Sequence, residues 1–109
     1  MDLDKETKKN IQELQLFEQN LQGLSMQKQA FLMELTEVEN ALSEIKDNNE
    51  PIFKVIGQIM VKTDKKKIEK ELKEKKDLIN LRIKSIERQE NLLNQNVDKI
   101  KTELMKKIK

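Results

Sequence analysis

The sequence predicts a mainly α fold, namely a long antiparallel two-helix coiled-coil hairpin with one β-hairpin between the helices. Two long stretches carry apolar residues at heptad spacing, which indicates two helices that pack along a narrow seam. A short stretch rich in β-branched residues, with a proline before it and a glycine inside it, separates them. Charged residues make up 39% of the chain and hydrophobic residues 36%, a balance that favours a coiled coil over a compact core.

The first predicted helix covers residues 4–47. With Leu14 as a heptad a position, every a and d site as far as Ile45 is apolar except Lys28. Gly23 lies inside this helix, at a cost of about 1 kcal/mol relative to alanine. The seam residues that we expect to pack are Leu14, Phe17, Leu21, Leu24, Phe31, Leu35 and Leu42.

The predicted β-hairpin covers residues 51–62. Pro51 ends the first helix, and Gly57 lies between strands predicted at 52–55 and 58–62, so we place the turn at Ile56-Gly57. A two-stranded hairpin is marginally stable alone, and its edges have unpaired backbone groups, so we expect it to join chains together. The predicted oligomerisation residues are Phe53, Val55, Ile59 and Val61, with Ile52 and Met60 on the other strand face and Gly57 in the turn.

The second predicted helix covers residues 65–108, with Thr63 or Asp64 as its N-cap. Its seam residues are Leu72, Ile79, Ile83, Ile86, Leu93, Val97 and Ile100. A short connector requires the two helices to be antiparallel. When each residue of the first helix packs in one layer with the residue of the second helix whose number adds to 114, every a position meets a d position. Lys28 and Glu90 then lie about one turn apart, where they either pair or both extend into solvent.

The charge of the chain is divided between its halves. Residues 1–50 have 5 Lys against 11 acidic residues, a balance of −6, and residues 51–109 have 17 basic against 9 acidic residues, a balance of +8. Two helices of opposite charge would attract each other, although the asymmetry is also explained by chance composition. A nucleic-acid-binding basic half is a further hypothesis. We expect no nucleic-acid partner, because acidic residues interrupt the basic ones and no stacking aromatics accompany them.

The chain has no His and no Cys, no glycine-rich phosphate loop and no nucleophile beside a base. We therefore expect no enzyme activity and no catalytic, cofactor or metal site. No apolar run approaches the roughly 20 residues of a membrane span, and no signal peptide is evident, so we expect a cytoplasmic protein with no membrane partner.

Several apolar residues lie off the seam and near the two chain ends. Single exposed apolar residues are normal and need no function. Flexible Met and Leu side chains also suit adaptable binding to apolar surfaces of other chains. The candidate binding residues of this kind are Leu3, Ile11, Leu16, Met105 and Ile108.

Three segments resemble the prefoldin family, and specifically its β-type subunits. They are residues 24–29 (LSMQKQ), residues 53–62 (FKVIGQIMVK) and residues 81–90 (LRIKSIERQE). The resemblance covers nearly the whole chain, and the single β-hairpin also matches the β type. The richness in Lys, Ile and Asn fits an archaeal member.

The resemblance implies an ATP-independent chaperone. In such a protein, hairpins from six subunits, two α and four β, join in an intersubunit β-barrel from which the coiled coils extend. The tips would capture non-native client proteins and pass them to a group II chaperonin. The alternative is a structural coiled-coil scaffold without client binding, which would form a homodimer and would not depend on residues 52–62.

Overall fold

The computed structural model describes residues 4–108, apart from the side chain of Ile108. Helix α1 spans Lys5–Lys46, strand β1 Ile52–Ile56, strand β2 Ile59–Thr63 and helix α2 Lys65–Ile108. The fold is therefore mainly α, with one β-hairpin between two long helices, as the sequence predicts. Each helix begins and ends within one residue of its predicted bounds.

Side-chain carboxylates cap both helices. The Thr7 backbone N–H donates to Asp4 Oδ1 at 2.6 Å, and the Lys66 N–H donates to Asp64 Oδ1 at 3.4 Å. Of the two N-cap candidates for α2, the structure thus selects Asp64. Hydrogen bonds from the side chain and backbone of Thr7 lower the pKa of Asp4 from its usual value.

The chain leaves α1 through a short turn. The Asn48 N–H donates to the Ile45 carbonyl at 3.3 Å, and the Asn48 side chain accepts from the Glu50 N–H at 2.8 Å. This Asx-type turn leads into Pro51, which cannot continue a helix.

The predicted position of the β-turn is wrong by one residue. Ile56 pairs with Ile59, so the turn consists of Gly57 and Gln58. Strand β1 ends one residue later than predicted, and β2 both begins and ends one residue later than predicted. Gly57 has φ +61°, and no non-glycine residue in the described range has positive φ. Gly57 is thus the first central residue of a type II′ turn, where glycine adopts positive φ without a steric penalty.

The predicted division of the hairpin residues between two faces is also wrong. Cross-strand partners share a face, and the register pairs Val55 with Met60 and Lys54 with Val61. Phe53 and Val55 therefore lie on the same face as Met60, and not with Ile59 and Val61 as predicted. We call Phe53, Val55, Met60 and Lys62 the outer face, and Ile52, Lys54, Ile56, Ile59, Val61 and Thr63 the inner face.

The chain divides into two compact units, each made of a part of α1 and a part of α2. Residues 30–83, which include the hairpin, form the hairpin unit. Its core is Val38, Ile79 and Ile83, with Phe31, Leu35, Leu42 and Leu72 packed against them. Three predicted layers have both of their residues in this cluster, namely Leu42 with Leu72, Leu35 with Ile79, and Phe31 with Ile83. Lys75 Nζ also lies 3.3 Å from Glu34 Oε1, as antiparallel packing requires.

Residues 4–29 and 84–108 form the terminal unit. Ile86, Val97 and Ile100 are buried here, and the remaining predicted seam residues Leu14, Phe17, Leu21, Leu24 and Leu93 are half-buried. Ion pairs join Lys28 to Glu90 and Lys107 to Glu6, so the two helix segments of this unit also run antiparallel.

Candidate interaction surfaces

The hairpin exposes apolar side chains on both faces. On the outer face, Phe53, Val55 and Met60 are 51%, 66% and 67% exposed. On the inner face, the most exposed residue is Ile59, also at 66%, followed by Ile56 and Val61. A contiguous apolar surface of this kind on so short an element is typical of a protein–protein contact. Each predicted oligomerisation residue except the half-buried Ile52 is thus open to solvent.

The inner face is the one that leans towards α2. Lys54 Nζ donates to Glu71 Oε2 at 2.9 Å, and Ile52 and Thr63, at the base of the same face, are half-buried. The hydrogen bond from Lys54 lowers the pKa of Glu71 from its usual value. Among residues 4–108, no such hydrogen bond ties the outer face to a helix, so Phe53, Val55 and Met60 form the more accessible surface.

The two strands also have free edges. The sheet contains β1 and β2 only, so each strand has one hydrogen-bonded neighbour and one outer edge in the described chain. Such an edge presents unpaired N–H and C=O groups that can bind a further strand. The hairpin therefore offers both apolar faces and backbone edges to partners.

The predicted binding residues near the chain ends fall into three groups. Leu16 and Met105 are 54% and 61% exposed, whereas Ile11 is half-buried. Leu3 and the side chain of Ile108 lie outside the described residues. At 100° per residue, Ile11 and Met105 fall on one side of the seam of the terminal unit, and Leu16 falls on the other. Helical spacing therefore places Ile11 on the same side of the seam as Met105, and Leu16 on the opposite side.

Two adjacent layers of the seam in the terminal unit are joined by a charged pair. Lys28 Nζ donates to Glu90 Oε1 at 3.1 Å and lies 3.9 Å from Glu87 Oε2. The side chains of Lys28 and Glu90 are 30% and 19% exposed, so this pair is partly withdrawn from water. Of the two sequence-based alternatives, pairing and extension into solvent, the structure shows pairing.

Two further seam residues were missed in the sequence. Thr7 and Asn10 are 5% and 9% exposed, and Asn10 Nδ2 has no hydrogen-bond partner among the described residues. Both lie seven residues before the first two predicted seam positions, Leu14 and Phe17. Extending the heptad towards the N-terminus regardless of polarity would have found them.

The described residues 4–108 contain no cluster of His, Cys, Asp and Glu side chains suited to bind a metal ion. None of the helices in this range combines the length and apolar character that crossing a membrane requires.

Comparisons with known proteins agree with this geometry. The family model described as "Prefoldin subunit" matches residues 8–109. The prefoldin subunit beta of Thermococcus onnurineus is 41% identical over 90 residues, which are 81% of this chain and 78% of the relative. That of Archaeoglobus fulgidus is 38% identical over 85 residues, 76% of this chain and 73% of the relative.

A solved structure is similar to this chain along almost its whole length. The crystal structure of the prefoldin beta subunit from Thermococcus strain KS-1 superposes with a TM-score of 0.90 at 32% identity. The match covers 96% of this chain and 94% of that one. The chain has two long helices with a hairpin between them, and the relatives that match it are archaeal prefoldin beta subunits. It therefore belongs to the prefoldin subunit family, as a member of its β type.

Proposed function

We propose that this chain is a subunit of a cytoplasmic ATP-independent chaperone that captures non-native proteins and passes them to a group II chaperonin. Subunits of the prefoldin family are chaperones and not enzymes, and β-type subunits form hetero-oligomeric complexes. The proposal adds three particulars: a hexamer of two α-type and four β-type subunits, client capture by apolar residues near the chain ends, and delivery to the chaperonin.

The observation that carries the proposal is the exposed hairpin. Both of its faces present large apolar side chains, and its own chain covers only the base of the inner face. A hairpin of two strands is marginal in water unless other strands or helices pack on it. Pairing its free edges with hairpins of other subunits, in a shared β-barrel, would remove both the open edges and the exposed apolar area.

The size of the complex tests this proposal. The chain alone and the chain mixed with an α-type subunit of an archaeal relative are compared by light scattering after size-exclusion chromatography. A species of about six chains, formed only in the mixture, is expected. The alternative function, a structural scaffold without client binding, predicts a homodimer in both samples, and that result would overturn the proposed assembly.

Two matched double variants test which hairpin face enters the joint. Val55→Lys with Met60→Lys places charges on the outer face, and Ile59→Lys with Val61→Lys places them on the inner face. We expect the outer-face pair to prevent the six-chain species, because this face is the more accessible one. Normal assembly of both double variants would show that neither face is buried in the complex.

The proposed client sites rest on exposure and position. Met105 and Leu16 expose more than half of their side-chain surface, and Ile11 is half-buried. All three lie in the terminal unit, away in sequence from the hairpin that would form the joint. Removing the first and last dozen residues should accordingly leave assembly intact and abolish suppression of client aggregation.

A further inference from the structure

The methionines of this chain are its main targets for oxidants. The sequence contains five Met and no Cys, so thioether sulfur is the only sulfur that a peroxide can attack. It also contains no His, Tyr or Trp, the other side chains that oxidants commonly modify. A peroxide that reaches this protein therefore acts on methionine, which it converts to the sulfoxide.

The methionines within residues 4–108 are all exposed. Met26, Met33, Met60 and Met105 have between 61% and 69% of their surface open to solvent. Methionine is ordinarily one of the more buried residue types, but here the buried seam is built from Ile, Val, Leu and Phe. Since oxidation follows exposure, these four thioethers should react at similar rates in the free chain.

Met60 is the one methionine of the described chain that lies on the hairpin. It belongs to β2 and to the outer face, where its cross-strand partner is Val55. Phe53 lies on the same face, so Met60 is part of the apolar surface that we propose to enter the joint. Met26 and Met33 lie on α1 instead, where they serve as controls of equal exposure.

Oxidation changes the polarity of Met60 more than its size. A lone pair of Sδ attacks one oxygen of hydrogen peroxide, the S–O bond forms as the O–O bond breaks, and the second oxygen leaves in a water molecule. Sulfur is oxidised by two electrons, and the peroxide is reduced by the same two. The apolar thioether thus becomes a polar sulfoxide whose oxygen accepts hydrogen bonds.

A sulfoxide at position 60 is compatible with the free chain and not with an apolar joint. In the free chain Met60 is exposed, so water can hydrogen-bond to the new oxygen. Burial without a donor is unfavourable, and the side chains of Phe53 and Val55 supply none. Lys62, the remaining residue of this face, is exposed at the base of the hairpin, and strand pairing would occupy the backbone donors of the edges.

We propose that Met60 is a reversible oxidation site that controls the assembly of this chain. Peroxide converts Met60 to the sulfoxide in the free subunit, and the oxidised subunit assembles poorly. The inference rests on the proposed assembly, in which the outer face enters the joint and Met60 becomes shielded. Methionine sulfoxide reductases, one for each epimer, return the thioether, so the subunit regains its ability to assemble.

The first experiment measures oxidation at each methionine. The free chain and its complex with an α-type subunit are treated with hydrogen peroxide, and the sulfoxide at each position is quantified by mass spectrometry of peptides. In the free chain, Met60 should react at a rate similar to those of Met26 and Met33. In the complex, the reaction of Met60 should slow about tenfold, while Met26 and Met33 react as before.

The second experiment links oxidation of Met60 to assembly. The unmodified chain, Met60→Leu and Met33→Leu are each oxidised as free chains and then mixed with an untreated α-type subunit. Oxidation should raise the dissociation constant of the complex about tenfold for the unmodified chain and for Met33→Leu. For Met60→Leu, which keeps an apolar side chain but no sulfur, the value after oxidation should equal its own value before oxidation. The two reductases should restore assembly of the oxidised unmodified chain.

Four outcomes would overturn the inference. Met60→Leu is as sensitive to peroxide as the unmodified chain; a chain fully oxidised at Met60 assembles as tightly as before; Met60 reacts as fast in the complex as in the free chain; or circular dichroism shows that oxidation unfolds the helices. In each case an unoxidised chain that forms the six-chain species leaves the proposed function standing. Failure of the unoxidised chain to assemble would refute the proposed function itself, so the two failures are distinguishable.

Discussion

Lys28 and Glu90 form a partly buried ion pair across the helix seam, with 3.1 Å between Lys28 Nζ and Glu90 Oε1. They occupy a positions where every neighbouring layer is apolar. Such a charged pair adds little net stability, since desolvation offsets most of the Coulomb attraction, but it penalises arrangements that separate the two charges. The pair therefore acts mainly on the register of the terminal unit.

Removing one member of this pair should be more harmful than removing both. Glu90→Ala leaves the Lys28 ammonium partly buried near Glu87 alone, and we expect it to lower the free energy of unfolding by about 1–2 kcal/mol. The double change Lys28→Met with Glu90→Leu should regain most of that loss. Thermal unfolding of the three variants measures both effects, and a double variant less stable than Glu90→Ala contradicts the expectation.

The two glycines should respond oppositely to alanine. A Cβ added at Gly23 meets no atom within 4 Å, so Gly23→Ala should stabilise α1 by about 1 kcal/mol. Gly57 has φ +61°, which a residue with a Cβ adopts at a cost of about 1–2 kcal/mol, so Gly57→Ala should destabilise the hairpin. Denaturant unfolding compares the two variants, each serving as the control for the other. Equal changes in the free energy of unfolding for Gly23→Ala and Gly57→Ala would contradict the different backbone roles of the two glycines.

The helix register can be tested by crosslinking in the terminal unit. The antiparallel alignment places Leu21 and Leu93 in one layer, so the double variant Leu21→Cys with Leu93→Cys should form a disulfide readily on oxidation. The control is Leu21→Cys with Ile86→Cys, in which the second cysteine lies about 10 Å further along α2. Efficient crosslinking of the control would refute the alignment.

The Lys54–Glu71 pair predicts a dependence on pH. The hydrogen bond from Lys54 lowers the pKa of Glu71 in the folded state, so this carboxylate stabilises the fold at a pH above its unfolded-state pKa. The stabilisation is lost as the pH falls through the lower, folded-state value. The chain should therefore be more stable than Glu71→Gln at pH 7, and the difference should close below about pH 4.

Thermal melts at several pH values measure this difference. Glu74→Gln is a suitable control, because Glu74 lies one turn away on α2 and makes no ion pair among residues 4–108. A stability difference between the unmodified chain and Glu71→Gln that stays constant from pH 7 to pH 3 would contradict the proposed role of Lys54.

Met105 provides a point test of client capture. Met105→Ser removes an apolar side chain that is 61% exposed, and we expect client affinity to fall on the order of tenfold per lost contact. Leu92→Ser is the matched control, since Leu92 is 62% exposed but lies more than three turns nearer the hairpin along α2. The measurement is how well each variant suppresses the aggregation of a denatured test protein. If Met105→Ser and Leu92→Ser lose the same amount of this activity, client binding is not specific to the chain ends.

The pairing of residues between the two strands of the hairpin was not predicted correctly from the sequence. Residue types predict both strands and their role at the joint, but the pairing of individual residues depends on where the turn lies. A two-residue turn at Ile56-Gly57 would pair Val55 with Gln58, whereas the turn at Gly57-Gln58 pairs Val55 with Met60. Both turns leave Phe53, Val55 and Met60 on one face, so the predicted grouping of Phe53 and Val55 with Ile59 and Val61 did not follow from the predicted turn.

The surface near the chain ends was predictable only in part. Apolar residues off the seam are visible in the sequence, but their grouping depends on which side of two packed helices each one occupies. Ile11 is half-buried, whereas Leu16 and Met105 expose more than half of their side chains. The pattern of apolar residues did not predict Thr7 and Asn10 as seam residues, because both are polar.

The sequence by itself determined the two helices, their seam and the hairpin between them, because heptad spacing, Pro51 and Asp64 act on neighbouring residues of one chain. The family followed from short local segments as well. Only the tertiary structure decided the Lys28–Glu90 contact and the register of the two strands. Each of these depends on which residues from different parts of the chain lie side by side. The packing register determines this, and local sequence patterns restrict that register without fixing it completely.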